Sequence, residues 1–235
     1  MMSDKHLSSQ FDADLNLVSS KVLEMGGLIE SQIKHAMEAL NNFDAAIADQ
    51  VITAEETVNT MEVVIDEECS NIIARRQPAA RDLRLLLAIS KTITNLERAG
   101  DEAEKIAKRV KRLMEDGASR TVNIAEIKLS GEMAVSILRR ALDAFARLDT
   151  VAAAQIVRDD KAIDEEFRAF VRKLVTYMME DPRTISAGLE YLFIAKAIER
   201  IGDHAKNIAE FIIYIVKGTD VRHKSRDTLE REALS

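Results

Sequence analysis

Proline and glycine are scarce in this sequence, whose 235 residues include two prolines and eight glycines. These residues end helices and form the tight turns that connect strands, so a chain this poor in them leaves β-strands few places to begin and end. The scarcity counts against an all-β fold, and it allows helices that run for many residues without interruption.

Aromatic residues and positive charge are also in short supply. Aromatic side chains make up 4% of the sequence and tryptophan is absent, so the chain has few surfaces on which bases or sugars could stack. Lysine and arginine total 33 against 40 aspartates and glutamates, which gives a formal net charge of -7. This is the wrong sign for a protein that holds phosphate backbones, so we expect no nucleic-acid partner.

The sequence has a single cysteine, Cys69, and no long apolar run. One cysteine cannot form an internal disulfide, which fits a reducing compartment. The longest aliphatic and aromatic run, residues 211–216, is much shorter than a membrane span, and the N-terminus lacks the apolar stretch of a signal peptide. We therefore expect a cytoplasmic protein that reaches the membrane only through its partners.

The sequence is rich instead in apolar residues at helical spacing. They recur at steps of three and four residues, which is the pattern of long amphipathic helices. Turn or stop residues interrupt this pattern at six places, namely 41–42, 77–78, 116–117, 148–149, 181–182 and 217–218. The interruptions predict an all-α fold of six long helices, most of them about 30 residues long.

The six helices form two matching sets of three. At an offset of 102, residues 97–107 align with residues 199–209, and seven of the eleven positions are identical. We predict two tandem, sequence-related three-helix bundles, at 1–117 and 118–217, followed by a polar C-terminal tail at 218–235 that need not be ordered. One continuous six-helix bundle is the alternative, and in either layout we expect the halves to abut.

Each half carries two carboxylates four residues apart. Glu97 and Asp101 form the first acid pair, and Glu199 and Asp203 form the second, both in the context Glu-Arg-x-Gly-Asp. In a helix the members of a pair lie one above the other on the same face, where like charges repel. A single pair would be an ordinary solvated surface, but its duplication indicates a use.

The second helix of each half offers partners for these pairs. The candidates are Asp160 and Asp164 in the second half, and Glu55 with Asn59, or Glu62 with Asp66, in the first. Carboxylates from adjacent helices of a bundle hold hard cations through oxygen ligands, and a cation would relieve the repulsion. We predict two related metal sites, for Fe, Zn, Mn or Mg, without assigning the metal or its occupancy.

We expect the second of these sites to bind metal more tightly, because Asp164 brings a charge where Asn59 brings only a dipole. The alternative is that the acids are solvated and that Arg98 and Arg200 make ordinary surface ion pairs with them.

Gly100 and Gly202 lie between the two acids of each pair, in mid-helix, where glycine costs about 1 kcal/mol relative to alanine. The missing side chain would let a ligand approach the carboxylates, and close packing of a neighbouring helix is the alternative explanation.

No enzyme motif is present. No histidine follows a glutamate by three residues, as a ferritin-like di-iron site requires, and no glycine-rich phosphate loop or nucleophile elbow occurs. Cys69 stands beside Glu67 and Glu68, which would raise the pKa of its thiol rather than activate it. We expect no catalytic activity.

The duplicated Glu-Arg-x-Gly-Asp motif, together with residues 74–78, 82–84 and 177–182, resembles the PhoU family of accessory regulators of the bacterial phosphate-specific transporter. The resemblance covers residues 7–224. It implies a homodimeric cytoplasmic adaptor between the ATPase of the phosphate ABC transporter and the phosphate-sensing histidine kinase. Such an adaptor negatively regulates the phosphate regulon and phosphate uptake.

The resemblance also bears on the acid pairs. Some members of the family carry multinuclear metal clusters on motifs that match Glu97, Asp101, Glu199 and Asp203, and by helix position Asp160 and Asp164. The alternative function is a metal-binding helical bundle with a storage or redox role. A storage protein needs an enclosed cavity with many ligands, whereas this sequence offers a few acid pairs, so we favour the adaptor.

Overall fold

The structure is a computed structural model that describes residues 9–117, 122–222, 224 and 226–234, and within them it contains helices and no strand. Its six long helices are α1 Ser9–Asn42, α2 Ala45–Arg76, α3 Ala80–Glu115, α4 Ala125–Arg147, α5 Thr150–Glu180 and α6 Ile185–Lys217. The predicted all-α fold of two tandem three-helix bundles is confirmed. The predicted boundary between the halves, 117/118, borders residues 118–121, which lie outside the described residues.

The turns that enter the second helix of each half have the same geometry. Phe43 after α1 and Leu148 after α4 adopt left-handed backbone angles, with φ of 54° and 50°. Each is followed by an aspartate, Asp44 or Asp149, whose side chain accepts hydrogen bonds from backbone N–H groups in the first turn of the next helix. These caps satisfy otherwise unpaired donors, which is why α2 and α5 begin where they do.

The apolar stripe of α1 forms the centre of the first bundle. Val22, Met25, Ile29 and Ile33 are completely buried there, and burying side chains of this size contributes about 1.5 to 3 kcal/mol each. Packing of this stripe against α2 and α3 explains why helices that are long and rich in charge are stable together.

The two halves abut along two helix pairs, α3 with α6 and α1 with α4, of which α3 with α6 is the more extensive. The α1–α4 contact repeats itself across the duplication. A Cβ on Gly26 would lie 2.3 Å from Cδ2 of Leu142, and a Cβ on Gly131 would lie 2.5 Å from Cε of Met37. Glycine at both places lets the two helices approach closely.

The segment after α6, which we treated as a polar tail that need not be ordered, contains a seventh helix, α7 Arg226–Leu234. Its Leu229 and Ala233 are buried, and the carbonyl of Ala233 accepts a hydrogen bond of 2.8 Å from Oγ1 of Thr150 on α5. An isolated helix of this length would be unstable in water, so its contact with α5 is what maintains it.

None of the helices in the described part of the chain is both long enough and apolar enough to pass through a membrane.

Candidate metal sites in the two halves

The first acid pair lies where α3 packs against α2. One oxygen each from Glu55, Glu97 and Asp101 lies within 4.8 Å of the others. Glu55 is 5% exposed, and the other two carboxylates are half-buried. The structure therefore brings together three of the four residues predicted for the first site, and we call this group the first acid cluster.

Burial and mutual repulsion make the charged form of this cluster unfavourable. Burial raises the pKa of Glu55 to about 7, a hydrogen bond from Gln32 opposes the rise, and the charges of Asp101 and Glu104 add to it. Burial also raises the pKa of Glu97, with a further contribution from Asp101. A cation among these oxygens would stabilise their charged forms.

A lysine of α3 lies at the edge of the cluster. Nζ of Lys105 is 3.8 Å from Oδ2 of Asp101, but it is closer, at 3.0 Å, to Oε1 of Glu102. Lys105 is half exposed, so its charge is screened by water and it neutralises the buried Glu55 poorly.

Gln32 on α1 belongs to the cluster, although the sequence analysis did not select it. It is 2% exposed, and its Nε2 donates to Oε2 of Glu55 at 2.7 Å and to the carbonyl of Val51 at 3.2 Å. Oε1 of Gln32 and Oε1 of Glu55 are buried without a hydrogen-bond partner among the described residues. Buried oxygens that lack a donor beside two further carboxylates fit a hard cation. The signal in the sequence that could have pointed to Gln32 is that a glutamine occurs within the apolar stripe of α1.

Gly100 makes room for these oxygens. A Cβ at this position would lie 3.0 Å from Oε2 of Glu55 and 3.2 Å from Oε1 of Gln32. In the second half, a Cβ on Gly202 would lie 3.0 Å from Oδ1 of Asp160. At both glycines the neighbouring helix packs closely, which is the packing explanation given for them. The same contact brings a carboxylate of that helix next to the glycine.

The other candidates on α2 lie apart from the cluster or at its border. Glu62 accepts a hydrogen bond of 2.9 Å from Oγ1 of Thr94, and Asp66 accepts one from the hydroxyl of Ser90. Asn59 lines an open cleft of about 490 Å³, whose lining also includes Glu55, Glu56 and Glu104.

In the second half, a lysine lies among the acids. Nζ of Lys206 is 3.2 Å from Oδ2 of Asp160 and 3.4 Å from Oδ1 of Asp203. Glu199 is paired separately, with Nζ of Lys196 at 2.5 Å. Among the residues that the structure describes, no group of three ligating side chains forms here, and Asp164 joins none.

The pKa values in the second half reflect this pairing. Burial raises the pKa of Asp160, and attraction to Lys206 opposes the rise. Burial would lower the pKa of Lys206, but the charges of Asp160 and Asp203 outweigh it and hold that pKa above its usual value. Lys206 is therefore charged at neutral pH and compensates the carboxylates that surround it.

The two sites differ in the charged groups that surround their acids. We expected tighter metal binding in the second half because Asp164 carries a charge and Asn59 does not. Lys206 also lies among the acids of the second half, and it aligns with Glu104 in the repeat. Three carboxylates come together in the first half, whereas an ammonium group lies between Asp160 and Asp203 in the second.

The family assignment comes from comparison with known proteins. The PhoU domain matches residues 22–110 and 127–212, one range in each half. The chain belongs to the PhoU family. Glu55, Glu97 and Asp101 lie within the first PhoU range, and Asp160 and Lys206 lie within the second.

Curated PhoU proteins are similar over nearly the whole chain. The chain is 62% identical over 234 residues to the phosphate-specific transport system accessory protein PhoU homolog of Burkholderia sp, which covers 99% of this chain and 100% of that protein. It is 46% identical over 228 residues to the phosphate-specific transport system accessory protein PhoU of Escherichia coli K12, over 97% of this chain and 94% of that one.

Solved PhoU structures have the same fold. The crystal structure of PhoU from Pseudomonas aeruginosa matches with a TM-score of 0.86 at 47% identity, over 89% of this chain and 100% of that one. The phosphate transport system regulatory protein PhoU from Streptococcus pneumoniae matches with a TM-score of 0.83 at 28% identity, over 90% and 99%. The predicted resemblance to the PhoU family is confirmed.

Polar contacts join the two PhoU domains between their acid pairs. Nη1 of Arg200 is 3.3 Å from Oε1 of the buried Glu102, and Oδ1 of Asn95 accepts a hydrogen bond of 3.0 Å from Nδ2 of Asn207. Arg98, the counterpart of Arg200, is exposed. Of the two motif arginines, Arg200 therefore contributes to the contact between halves, rather than pairing with the acids of its own motif.

Proposed function

We propose that this chain is a cytoplasmic adaptor of phosphate homeostasis. In this role it links the ATPase of the phosphate ABC transporter to the phosphate-sensing histidine kinase, and it negatively regulates the phosphate regulon and phosphate uptake. The observation that carries the proposal is the similarity, over 97% or more of the chain, to proteins named as accessory proteins of the phosphate-specific transport system.

An exposed apolar stripe on α6 supports a binding role. Ile185, Leu189 and Phe193 follow one another at steps of four, so they share one face of the helix, and each is more than 40% exposed. Met179, near the end of α5, is also exposed. Contiguous exposed apolar side chains are typical of surfaces that bind other proteins. We assign this stripe to the contact with the kinase or the ATPase, and we propose that the chain is a homodimer.

An adaptor needs no catalytic group, and Cys69 does not supply a nucleophile. Burial raises the pKa of its thiol to about 12, and Asp66 and Glu68 add to the rise. A thiol with such a pKa is not a nucleophile at neutral pH.

Deletion of the gene tests the regulatory role. We expect the deletion strain to express alkaline phosphatase in high phosphate, and we expect a plasmid copy of the chain to restore repression. A pull-down with the purified ATPase and the cytoplasmic part of the kinase tests the contacts, and recovery of neither would remove the adaptor function. Leu189→Asp should weaken recovery at least tenfold, whereas Leu17→Asp, on the exposed face of α1, should not.

One observation favours metal binding as a second function. The unpaired oxygens of Gln32 and Glu55 lie beside Glu97 and Asp101 and close to the backbone at Gly100. These residues would hold a divalent or trivalent ion such as Fe, Mn, Zn or Mg, and the ion would supply the positive charge that the first acid cluster lacks. The open cleft beside Glu55 does not favour a storage role, because storage requires an enclosed cavity.

Metal binding is tested by elemental analysis of the purified chain and by melting curves with chelator and with each metal. A chain that holds no metal and whose melting temperature responds to none of the four would contradict the metal site and leave the adaptor function standing.

A further inference from the structure

The repeat pairs each member of the first acid cluster with a residue of the second half. Glu55 corresponds to Asp160 at an offset of 105, and Asp101 corresponds to Asp203 at an offset of 102. At the same offset of 102, however, Glu104 corresponds to Lys206. The two halves thus place opposite charges at one equivalent position, beside carboxylates that are otherwise alike.

Lys206 is well placed to act on the buried carboxylate. It reaches from α6 to Asp160 on α5 at 3.2 Å, and it lies 3.4 Å from Asp203 on its own helix. The side chain of Asp160 is 3% exposed and that of Lys206 is 29% exposed, so water screens this pair weakly. The pocket beside Lys206 is lined by the apolar Val157 and Leu229 and by the polar side chains of Asn207, Glu210, Arg222 and Lys224.

A metal ion would have to displace this ammonium group. The ion would need the oxygens of Asp160 and Asp203 that Lys206 already contacts, and moving the lysine into solution would cost its two ion pairs. In the first half the equivalent position holds an acid, Glu104, which lines the same cleft as Glu55 and pairs with Lys108 at 2.7 Å, and Lys105 lies 3.8 Å from Oδ2 of Asp101.

We propose that Lys206 is the built-in counter-ion of the second acid pair, that it stabilises this half without metal, and that it confines metal binding to the first half. The part about stability is independent of metal, and the part about confinement rests on the metal site proposed above. Lys206 is therefore the residue that distinguishes the two halves in their need for a cation.

The test replaces Lys206 by glutamine in the full chain and compares melting temperatures in chelator. Loss of the ammonium leaves the buried Asp160 without its partner, so we expect the melting temperature to fall by about 4 to 8 °C. The matched control is Lys161→Gln on α5, which removes an exposed lysine that pairs with an exposed glutamate, and it should change the melting temperature by less than about 2 °C.

Metal should then substitute for the missing lysine. We expect Mn²⁺ to raise the melting temperature of the Lys206→Gln chain more than that of the parent, and elemental analysis to find more metal per chain. The double variant Lys206→Gln with Asp160→Asn removes both partners, so it should recover most of the stability in chelator and lose the extra response to metal.

The two parts of the proposal fail in different ways. If Lys206→Gln melts like Lys161→Gln in chelator, Lys206 is not a counter-ion and the proposal is overturned. The double variant Glu97→Gln with Asp101→Asn keeps Lys206 but loses the first acid pair. If it binds as much Mn²⁺ as the parent, the second half binds metal despite Lys206 and the confinement is wrong. A parent that binds no metal would contradict the metal site alone, and the chelator arm would still decide the role of Lys206.

Discussion

The two halves of this PhoU protein use the same backbone arrangement and the same acid pair, yet they balance its charge differently. In the first half Glu97 and Asp101 meet the buried Glu55 and the amide of Gln32. In the second half Asp203 shares Lys206 with the buried Asp160. A duplicated motif therefore specifies where carboxylates gather, but the residues that face them determine how the charge of the group is balanced.

The halves also differ in what covers the start of their second helix. In the second half α7 packs there, and Ala154 and Val157 are buried. In the first half the equivalent residues are Asp49, which is exposed and pairs with Lys111 at 2.6 Å, and the partly buried Ile52. Of these two pairs of equivalent positions, the pair that α7 covers is the one that is apolar and fully buried.

The largest expected effect separates the two acid pairs. Ligand at a hundred times its Kd stabilises a folded chain by about 2.7 kcal/mol, which corresponds to about 5 to 10 °C here. Glu97→Gln with Asp101→Asn should abolish most of this metal-dependent rise. The metal-free variant should melt no lower than the metal-free parent, because repulsion has also been removed.

The matched variant is Glu199→Gln with Asp203→Asn, measured in the same melting experiment. It should keep most of the metal-dependent rise. The opposite ranking, in which the second pair carries the metal response, would contradict the comparison between the halves.

A smaller effect is expected from making the first half resemble the second. Glu104→Lys places an ammonium where the repeat has Lys206, so it should raise the melting temperature in chelator by about 2 to 4 °C and reduce the response to Mn²⁺ by more than half. The control Glu104→Gln removes the charge, and with it the 2.7 Å ion pair to Lys108 that Glu104→Lys also removes, without supplying a cation. An unchanged Mn²⁺ response in Glu104→Lys would show that the equivalence of these positions does not extend to their function.

The pH dependence of the metal-free chain should be more modest. The pKa of Glu55 is raised to about 7 in the folded chain, so between about pH 4.5 and 7 the folded state binds more protons than the unfolded state. The contribution of Glu55 to stability is therefore lost as pH rises through this window. In chelator, the melting temperature of the parent should fall by roughly 2 to 5 °C between pH 5 and 8. Glu55→Gln should remove this fall.

Metal should reverse this dependence, because it binds the deprotonated carboxylate. Its stabilising effect should grow from pH 6 to 8 in melting curves. This window is nearer neutrality than the acid range in which ordinary carboxylates protonate. A metal effect that is constant from pH 6 to 8 would show that Glu55 does not bind the ion.

The smallest change in global stability is expected at α7. Leu229→Ala should loosen α7 from α5, and amide hydrogen exchange should become faster in residues 150–157 while the melting temperature changes by about 2 °C or less. The change stays local because α7 contacts α5 and α6 from outside the helix packing that forms the two bundles. Leu234→Ala, at an exposed leucine of the same helix, is the control, and equal exchange in both variants would mean that Leu229 does not hold α7.

The fold was largely predictable from the sequence because its signals are local. Apolar spacing and stop residues such as Pro78 and Pro182 act within one helix, and α2 and α5 end at Arg76 and Glu180, two residues before them. Duplication was visible as sequence identity, and it placed an acid pair on α3 and on α6. Glu55 was among the predicted partners because its helix position follows from the repeat.

Tertiary packing alone decided which side chains meet these acids. Gln32 and Glu55 are 23 residues apart and meet through the register of α1 against α2, and Lys206 reaches Asp160 from the next helix. Periodicity within a helix identifies its buried face, but the vertical offset between two helices depends on how their side chains interlock. The sequence by itself determined six helices, their duplication and two acid pairs. The packing of those helices decided that one pair meets further acids and the other meets a lysine.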